Sequence, residues 1–334
     1  MITEEWHPAK ILEISGYYWK TCTLHAGVKL DVFTIIGKKQ MTAASVAQEM
    51  KVAERGVTML LNALAAMELL TKTGDRYSNI PAAESLLSKD SPKYIGYMIM
   101  HHHHLVESWY QLDKAVTTGK PVRTRSILAD EDRRESFLMG MFNLAMAIAP
   151  GLSKQIDLSN RRSLLDLGGG PGTYAIHFCL SNPRLNGTIY DLPTTRPFAE
   201  KTVKKFGISD RVSFTDGNYL EDGIEGTYDA AWLSHILHGE GPGDCQKIIN
   251  KTVAAMTPGG IIMIHDFILN DTMDGPLFPA LFSLNMLLGT PYGQAYSEKQ
   301  IRDMLENAGV KDIQRLPFRG PTDSGILTGI VKGA

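Results

Sequence analysis

The spacing of apolar residues changes along the chain, from a helical period in the first half to short strand-like runs in the second. One predicted helical face carries Ile11, Ile14, Tyr18 and Cys22. A second apolar stripe predicts a helix from about Glu54 to Leu70. The first half is therefore expected to be mainly helical.

A shorter helix and a hairpin are also expected in this half. Thr42 is a suitable N-cap for a helix over residues 43–50, and Gly74 with Asp75 marks a hairpin turn. Helix, helix and hairpin outline a winged helix, a module that binds DNA or pairs subunits. The second helix, AERGVTMLLNALAAMELL, is mostly apolar, whereas a helix that reads DNA needs exposed polar and basic side chains. The sequence therefore favours dimerisation over DNA binding.

Beyond about residue 160, short apolar runs alternate with helix-like stretches. The predicted strands are SLLDLG, GTIYDL, RVSFTD, YDAAWLS, GIIMIHDFI and GILTGIVKG. Helix-like stretches such as CQKIINKTVAAM and EKQIRDMLENAG lie between several of them. This alternation predicts an α/β fold with a mostly parallel, Rossmann-like sheet and helices on both faces. The predicted division is a winged-helix-like domain, connecting helices and a Rossmann-like domain, over residues 1–110, 111–158 and 159–334.

Composition and charge narrow the expected partners. Hydrophobic residues make up 43% of the 334 residues and charged residues 21%, as in ordinary globular proteins. A net charge of -2 supplies no electrostatic reason to bind nucleic acid or an anionic membrane. Cys22, Cys179 and Cys245 are far apart in sequence, which favours reduced thiols and a cytoplasmic location.

We expect neither a signal peptide nor a membrane span. The N-terminal MITEEWHPAK is acidic and polar, unlike the basic start of a signal peptide. The most apolar later stretch, FPALFSLNMLLG, is short and is interrupted by Ser283 and Asn285. It is therefore expected to form a buried helix.

The strongest local signal for chemistry is LLDLGGGPGTYAIHF, which predicts a strand, a glycine-rich turn and a helix. Four glycines let the backbone turn sharply and approach a ligand, namely Gly168, Gly169, Gly170 and Gly172. Asp166 lies at the carboxyl end of the strand, where open α/β sheets bind ligands. A glycine turn by itself also fits a nucleoside-diphosphate site.

Asp191, at the end of the next predicted strand, favours an adenosine site. An acid about 20 residues after the glycine turn is placed to accept hydrogen bonds from both ribose hydroxyls. Taken alone, Asp191 is equally well a turn residue before Leu192 and Pro193. The glycine turn together with Asp191 favours adenosine.

Two features favour S-adenosylmethionine over NAD as the adenosine-containing cofactor. The turn GGGPG lacks the GxGxxG spacing with which a helix N-terminus holds a pyrophosphate. After the following strand, Asn218 can accept a hydrogen bond from the adenine amino group. The preceding Gly217 also fits a plain turn at this point.

Seven motifs in order give the chain a resemblance to one enzyme family along nearly its whole length. They are ESWYQLDKAV, FNLAM, LLDLGGGPG, YDLP, HILH, MTPGG and YSEKQIRDMLENAGV. The chain resembles the plant caffeic-acid-type, acetylserotonin-type and bacterial hydroxyneurosporene-type O-methyltransferases. The resemblance implies a helical dimerisation domain joined to a class I methyltransferase domain. It also implies S-adenosylmethionine as cofactor and S-adenosylhomocysteine as product.

The resemblance implies roles for individual residues as well. It places Asp191 on the ribose and Asn218 near adenine, and it makes His238 the base that removes the acceptor's proton, supported by Asp266. Further implied cofactor contacts are Asp166, Gly168, Gly169, Gly170, Leu192, Gly217, Tyr219 and Ser234. The implied acceptor-pocket residues are Phe142, Met146, Asn285 and Met286.

A histidine suits the role of base physically. An unperturbed imidazole titrates at about pH 6.5, so it is available as a base at neutral pH. A phenol has a pKa of about 10 and is a poor nucleophile until its proton is removed, while the sulfonium supplies the electrophile. A structural loop histidine is the alternative interpretation of His238.

The sequence departs from the family pattern at four positions. Gly239 replaces an acid directly after the histidine, and Ser234 replaces a cofactor-contacting lysine. Asn218 replaces the usual adenine-binding aspartate, and Ala295 replaces a second carboxylate that orients the histidine. Loss of one orienting carboxylate weakens a histidine base without removing it. Either Glu240 substitutes from another direction, or the acceptor needs less help.

The run His101–His104 is the remaining unusual feature. On a helix His101 and His104 share a face, and neighbouring histidines can bind zinc. Neither a cysteine pair nor an acidic ligand cluster lies nearby in sequence. We therefore expect pocket lining or helix packing here, and no metal.

The sequence thus predicts a homodimeric, cytoplasmic enzyme that moves the methyl group of S-adenosylmethionine to a hydroxyl of a small aromatic or conjugated molecule. A carbon methyltransferase acting on a macrocyclic or quinone-like acceptor is the alternative, because the surroundings of His238 depart from the family pattern. A non-enzymatic alternative is a winged-helix regulator that binds S-adenosylmethionine.

Overall fold

The computed structural model describes residues 6–125 and 130–332. The chain divides into two compact units, which are described one at a time. The first comprises Met1–Leu105 with Glu135–Asn143, and the second comprises Val106–Arg134 with Leu144–Ala334. The predicted α/β fold with a mainly helical N-terminal part is confirmed.

The first unit is mainly helical and contains one small antiparallel sheet. Its elements are α1 (Pro8–Lys29), α2 (Val32–Ile36), β1 (Met41–Thr42), α3 (Ala43–Met50), α4 (Glu54–Ala66), β2 (Leu70–Thr73), β3 (Arg76–Asn79), α5 (Pro81–Leu87) and most of α6 (Gly96–Trp109). The strands pair in the order β1, β3, β2. Its core is built from apolar side chains of α2, α3 and α4, including Phe33, Val46 and Leu61.

The predicted short helix and hairpin of this unit are confirmed. Thr42 caps α3, because its hydroxyl accepts a hydrogen bond from the amide of Ser45 at 3.1 Å. Strands β2 and β3 are joined by the two-residue turn Gly74–Asp75, and Gly74 has a φ of +62°. A left-handed φ at a tight hairpin turn favours glycine.

The predicted boundary of the second helix is wrong. Helix α4 ends at Ala66, four residues before the predicted end at Leu70. Glu68 adopts a φ of +60°, which a continuing helix does not allow, and Leu70 pairs with Asn79 in the hairpin. The apolar stripe therefore continues from helix into strand, where the helical period no longer applies.

Helix α1 forms as predicted, but most of its apolar side chains are exposed within this chain. Leu12 and Trp19 are 70% and 69% exposed. Its buried residues lie near its C-terminal end and are His25, Gly27 and Val28. The apolar face of α1 therefore contributes little to the core of its own unit.

The second unit has a large sheet flanked by helices. Its elements are α7 (Leu112–Thr118), part of α8 (Glu131–Leu152), β4 (Ser163–Leu167), α9 (Thr173–Ser181), β5 (Asn186–Asp191), α10 (Arg196–Lys205), β6 (Val212–Asp216), β7 (Tyr228–Ser234), α11 (Pro242–Ala254), β8 (Met256–Leu269), α12 (Leu277–Gly289), β9 (Tyr296–Ser297), α13 (Glu298–Asn307), β10 (Val310–Arg315) and β11 (Ser324–Val331). Short 3-10 helices span Pro193–Thr195 and Leu237–Gly239.

The large sheet has the order β10, β11, β8, β7, β4, β5, β6, with β9 beside β8. Strands β6, β5, β4, β7 and β8 are parallel to one another. Strand β11 is antiparallel to β8, and β10 is antiparallel to β11. All six predicted strands are present, and β9 and β10 were not predicted. Strand β10, VKDIQR, has few apolar residues because it forms an edge of the sheet.

The order of the sheet fixes where a ligand can bind. The chain runs outward from β4 to β5 and β6, then returns to the other side of β4 with β7. Ligands of open α/β sheets bind at the carboxyl ends of the strands beside such a reversal. The loops after β4, β5, β6 and β7 all begin at that edge.

Two apolar helices, α8 and α12, bear on the prediction of a buried helix and no membrane span. Helix α8 is long and apolar enough to cross a membrane by length and composition alone, a property that core helices of soluble proteins share. Helix α12 forms from the stretch FPALFSLNMLLG as predicted, and its buried residues are Pro279, Asn285, Met286, Leu288 and Gly289. Leu277 and Leu281 are exposed, so the predicted burial is confirmed for part of this helix.

Candidate active site

The glycine-rich loop follows β4 at the reversal of the sheet. Gly168 and Gly170 have φ values of +64° and +55°, a conformation that side chains rarely adopt. A Cβ at Gly168 would lie 2.6 Å from Cγ2 of Ile236, and one at Gly169 would lie 2.7 Å from Cγ of Asp166. A Cβ at Gly170 would meet no atom within 4 Å. The loop is therefore tightly packed against the protein at Gly168 and Gly169, whereas Gly170 faces open space.

Asp166 lies at the end of β4 and is only 1% exposed. Its Oδ2 accepts a hydrogen bond from the amide of Ala175 at 3.1 Å, while Oδ1 has no partner. Burial, helped by the charge of Asp191, raises the pKa of Asp166 to about 7. The hydroxyl of Thr173, at the start of α9, is also buried without a partner. Such orphaned polar atoms are normally satisfied by water or a ligand.

Asp191, the last residue of β5, connects the glycine loop to the neighbouring loop. Its Oδ2 accepts a hydrogen bond from the amide of Gly170 at 2.8 Å, and its Oδ1 accepts one from the amide of Leu192 at 2.7 Å. Burial raises the pKa of Asp191, although hydrogen bonds from Gly170, Leu192 and Thr195 act in the opposite direction. The predicted pair of glycine loop and acid thus meets in space.

The segment after β6 approaches the same edge. The amide of Gly217 donates to the carbonyl of Asp191 at 2.9 Å, and a Cβ at Gly217 would collide with the ring of Tyr190. Oδ1 of Asn218 accepts a hydrogen bond from the amide of Leu220 at 3.0 Å, which is a local turn. The side-chain NH2 group (Nδ2) of Asn218 donates no hydrogen bond to the described residues.

Tyr219 lies next to the glycine loop, and Ser234 is the last residue of β7. A Cβ at Gly168 would lie 3.6 Å from the ring of Tyr219. The hydroxyl of Ser234 lies 3.0 Å from Nδ1 of His265, whose Nε2 lies 3.0 Å from the hydroxyl of Ser324. At the position where the resemblance implies a lysine, this chain therefore has a partly buried hydrogen-bonded chain from β7 through β8 to β11.

The two predicted catalytic residues, His238 and Asp266, are in direct side-chain contact. His238 lies in the 3-10 helix after β7, and Asp266 lies on β8. The Nδ1 of His238 is 2.6 Å from Oδ1 of Asp266. Burial acts to raise the pKa of Asp266, but the imidazoles of His238 and His235 outweigh it and hold this pKa well below its usual range. Asp266 is therefore an ionised carboxylate that orients the imidazole.

Two features of this centre were missed by the sequence analysis. His235 brings a second imidazole to Asp266, with its Nδ1 at 3.6 Å from Oδ1. An aromatic cluster (Phe267, Phe278 and Phe282) borders His238, with Phe282 edge-on at 4.7 Å between ring centroids and Phe267 stacked at 5.7 Å. The i, i+4 spacing of Phe278 and Phe282 was the available signal for a shared helical face.

Glu240 does not replace the missing acid at His238. Its Oε1 accepts a hydrogen bond from Nη1 of Arg125 at 2.8 Å and one from the hydroxyl of Tyr219 at 3.4 Å. Arg125 also donates to the carbonyl of Gly239. Glu240 is buried, with 7% exposure. Of the two interpretations left open, the structure gives no support to substitution by Glu240.

The predicted acceptor residues are distributed over both units. Asn285 and Met286 are buried on α12. Oδ1 and the carbonyl of Asn285 accept hydrogen bonds from Nη2 of Arg123 at 3.1 and 3.2 Å. Met146, on the part of α8 in the second unit, has its Sδ at 3.4 Å from Nε2 of His177. Phe142 belongs to the first unit, where it is half-buried.

The histidine run lies on α6, and most of its described contacts are packing contacts. His101 is 9% exposed, and its ring is edge-on to Phe137 at 5.3 Å between centroids. His103 lies edge-on to His25 at 5.6 Å, and its Nε2 is 3.1 Å from Nζ of Lys29. In residues 6–125 and 130–332, the run supplies no group of three or more metal-ligating side chains.

Two family models match the chain in the order expected for these domains. Residues 12–89 match an O-methyltransferase dimerisation domain. Residues 109–311, which include the glycine loop, Asp191 and the His238–Asp266 pair, match an O-methyltransferase domain.

Known proteins resemble the chain over almost its full length. The 3-hydroxy-5-methyl-1-naphthoate 3-O-methyltransferase of Streptomyces sahachiroi is 30% identical over 97% of this chain and 95% of the relative. The tetracenomycin polyketide synthesis 8-O-methyl transferase TcmO of Streptomyces glaucescens is 30% identical over 94% of each. The structure of PigF with SAH (S-adenosylhomocysteine) superimposes with a TM-score of 0.89 at 25% identity, over 97% of this chain and 100% of PigF. The chain therefore belongs to the O-methyltransferase family with an N-terminal dimerisation domain, and it is an S-adenosylmethionine-dependent O-methyltransferase.

Proposed function

We propose that the protein methylates a hydroxyl of a small aromatic or conjugated molecule, with His238 as the general base. The observation that carries this proposal is the 2.6 Å contact between Nδ1 of His238 and Oδ1 of Asp266. Because Asp266 is ionised, His238 donates its Nδ1 proton to it, and the lone pair of a neutral imidazole is then on Nε2. Within the described residues, Nε2 of His238 has no hydrogen-bond partner.

The chemistry requires one proton transfer and one displacement. The acceptor's hydroxyl proton passes to Nε2 of His238, and the oxygen attacks the methyl carbon in line with the leaving sulfur. The new bond joins oxygen and carbon, the carbon–sulfur bond breaks, and its electron pair remains on the sulfur of S-adenosylhomocysteine. Asp266 stabilises the imidazolium that results.

The aromatic cluster beside His238 supports an aromatic acceptor. Its rings offer faces and edges against which a flat ring packs favourably. The naphthoate named for the Streptomyces sahachiroi relative is an aromatic acceptor of this kind. Asn285 and Met286, together with Met146 and Phe142, are the side chains that we propose to line the pocket.

The residues at the sheet edge fit S-adenosylmethionine. The unpartnered Oδ1 of Asp166 and hydroxyl of Thr173 are buried polar atoms that a ligand can satisfy. Gly170 faces open space next to Asp191. We propose that Asp191 and Leu192 hold the ribose end, that Gly217, Asn218 and Tyr219 hold the adenine end, and that Asp166, Gly168, Gly169 and Ser234 lie toward the methionine end. The cofactor supplies the electrophilic methyl group.

We also propose a homodimer that forms through the N-terminal domain and works in the cytoplasm. The exposed apolar face of α1 and the match to a dimerisation domain support the dimer. The three isolated free cysteines suit a reducing compartment. Residues 1–110, 111–158 and 159–334 remain the proposed domain boundaries.

The experiment is an acceptor screen with S-adenosylmethionine that carries a carbon-13 methyl group. Phenols, catechols, naphthols and hydroxynaphthoates are incubated with the enzyme, and the products are identified by mass and by carbon NMR. A methyl resonance in the range of aryl methyl ethers supports the proposal. Transfer to ring carbon only, or to none of these classes while aliphatic alcohols react, would contradict the proposed acceptor class.

A further inference from the structure

His235 has an unusual backbone conformation for which the proposed reaction gives no reason. Its φ is +56°, in the left-handed region, which is uncommon for residues other than glycine, although histidine, asparagine and aspartate adopt it more often than other side chains. Its amide donates to the carbonyl of His265 at 2.8 Å, which fixes the strained residue to β8. Strain of this kind persists where the surrounding structure imposes it, and it is concentrated at functional sites.

The side chain of His235 is also unsatisfied. Its Nδ1 is buried and has no hydrogen-bond partner. The nearest acid oxygen is Oδ1 of Asp266 at 3.6 Å, which is too long for a hydrogen bond. Two ligands of one tetrahedral zinc ion, with bonds of about 2.0–2.1 Å, lie about 3.3 Å apart. The distance from His235 to Asp266 is therefore closer to that of two metal ligands than to that of a hydrogen bond.

His238 completes a group of three ligand atoms. The atoms of His235, His238 and Asp266 that can bind a metal all lie within 4.8 Å of one another. In residues 6–125 and 130–332, this is the single group of three or more histidine, cysteine or acidic side chains with such spacing. Two imidazoles and one carboxylate are a common ligand set for divalent transition metals.

We propose that His235, His238 and Asp266 form a binding site for a divalent transition-metal ion such as Zn²⁺. The two Nδ1 atoms and one carboxylate oxygen supply three ligands, and a water molecule takes the fourth position. Binding requires the 2.6 Å contact between His238 and Asp266 to lengthen by less than 1 Å.

Occupation of this site switches off the base, a consequence that rests on the proposed function of His238. A neutral imidazole carries one proton, which in the His238–Asp266 pair is on Nδ1. When Nδ1 binds the metal, this proton moves to Nε2. Nε2 then has no lone pair with which to accept the proton of the acceptor. The metal is therefore an inhibitor of methyl transfer and not a cofactor.

The test is calorimetric titration of the full-length protein with Zn²⁺ alone. His235→Asn is the informative variant, because asparagine tolerates the left-handed backbone but lacks the imidazole ligand. His235→Gly is the second variant, since glycine removes the strain, and circular dichroism verifies that both fold. The control is His102→Asn/His103→Asn, which removes two histidines of the run on α6 and leaves the site intact.

The wild type and the control are expected to bind one Zn²⁺ tightly at this site. Both His235 variants should weaken that binding by more than about 100-fold, because loss of a ligand costs more than loss of an outer-shell partner. Wild-type protein that binds no Zn²⁺ at about 100 times a micromolar dissociation constant would overturn the proposal. Unchanged affinity in both His235 variants, or loss of the site in the control, would overturn it too.

A second readout separates this proposal from the proposed function. Methyl transfer is measured with and without Zn²⁺ and then with EDTA, and each variant is compared with its own metal-free rate. Reversible inhibition of the wild type with resistance in His235→Asn supports the switch. Tight binding without inhibition would retain the metal site and contradict His238 as the base.

Discussion

Nδ1 of His238 lies 2.6 Å from Oδ1 of Asp266, so a buried ionised carboxylate fixes the orientation and tautomer of a half-buried imidazole. The two residues come from the loop after β7 and from β8, which are parallel neighbours in register at Ser234 and His265. The dyad therefore depends on the pairing of these two strands and not on any local motif.

Removal of the proposed base, His238, should reduce turnover far more than it reduces cofactor binding. In His238→Asn we expect kcat to fall by about 10²–10⁴-fold, the usual contribution of general acid–base catalysis. Asp266→Asn should also lower kcat, because the imidazole loses the partner that selects its tautomer. Initial rates with the acceptor from the screen, and calorimetry with S-adenosylhomocysteine, measure the two quantities. Asp303→Asn, a surface acid paired with Lys299, is the matched control and should change neither. Undiminished kcat in His238→Asn would exclude it as the base.

Cofactor binding should release a proton from Asp166. Burial raises the pKa of this carboxyl to about 7 in the unliganded protein, and the ammonium group at the amino-acid end of the ligand would favour the ionised form. Below pH 7 the group is protonated and must lose its proton when the ligand binds. The affinity for S-adenosylhomocysteine should therefore fall as the pH is lowered below 7, by up to about tenfold per pH unit.

Proton release is measured by calorimetry at pH 7 in buffers with different ionisation enthalpies. Asp166→Asn should bind more weakly, with no proton release from this group and a flatter dependence on pH between 5 and 7. A wild-type affinity that is constant over this pH range would contradict the expected role of Asp166.

The sequence was sufficient to predict that the residues of the proposed cofactor site lie at one edge of the sheet, because they follow consecutive strands. Asp166 is the penultimate residue of β4 and Asp191 is the last residue of β5, and the parallel pairing of these strands brings their carboxyl ends together. The glycine loop could likewise be located, since its residues are adjacent in the chain. In both cases, the residues that meet in space lie close together in the sequence or at the ends of adjacent parallel strands.

The sequence was insufficient where the partner lies far along the chain. His235 is close to His238 in sequence, but its proximity to Asp266 comes from the pairing of β7 with β8, which brings together residues far apart in the chain. The Arg125–Glu240 ion pair joins residues 115 positions apart. The end of α4 was misplaced because the apolar stripe continued into a strand, so local periodicity could not show the change.

The Arg125–Glu240 pair should contribute to stability through burial of its acid. Arg125→Met leaves the nearly buried carboxylate of Glu240 without its cation and should lower the free energy of unfolding by about 3 kcal/mol. The double variant Arg125→Met/Glu240→Leu should recover much of this loss, because it removes the uncompensated charge as well. Urea unfolding of the wild type, Arg125→Met, Glu240→Leu and the double variant measures both effects.

A surface pair supplies the control for this measurement. Arg133 and Asp130 are 44% and 63% exposed in their side chains, so Arg133→Met should change the free energy of unfolding by less than about 1 kcal/mol. If Arg125→Met behaves like Arg133→Met, the buried pair does not stabilise the domain.

The exposed apolar face of α1 should hold two subunits together. Leu12 and Trp19 are among its most exposed side chains, and apolar area of this kind is normally covered by a partner. Sedimentation equilibrium should show a wild-type dimer at micromolar concentration. Leu12→Glu/Trp19→Glu should shift the protein toward monomer, since two charges would have to be buried in the interface. Lys20→Gln is the control for charge on the same helix, because it makes the helix more negative without placing a charge among these apolar side chains. If the double variant stays fully dimeric, the interface lies elsewhere in the chain, and a wild-type monomer would contradict the dimer itself.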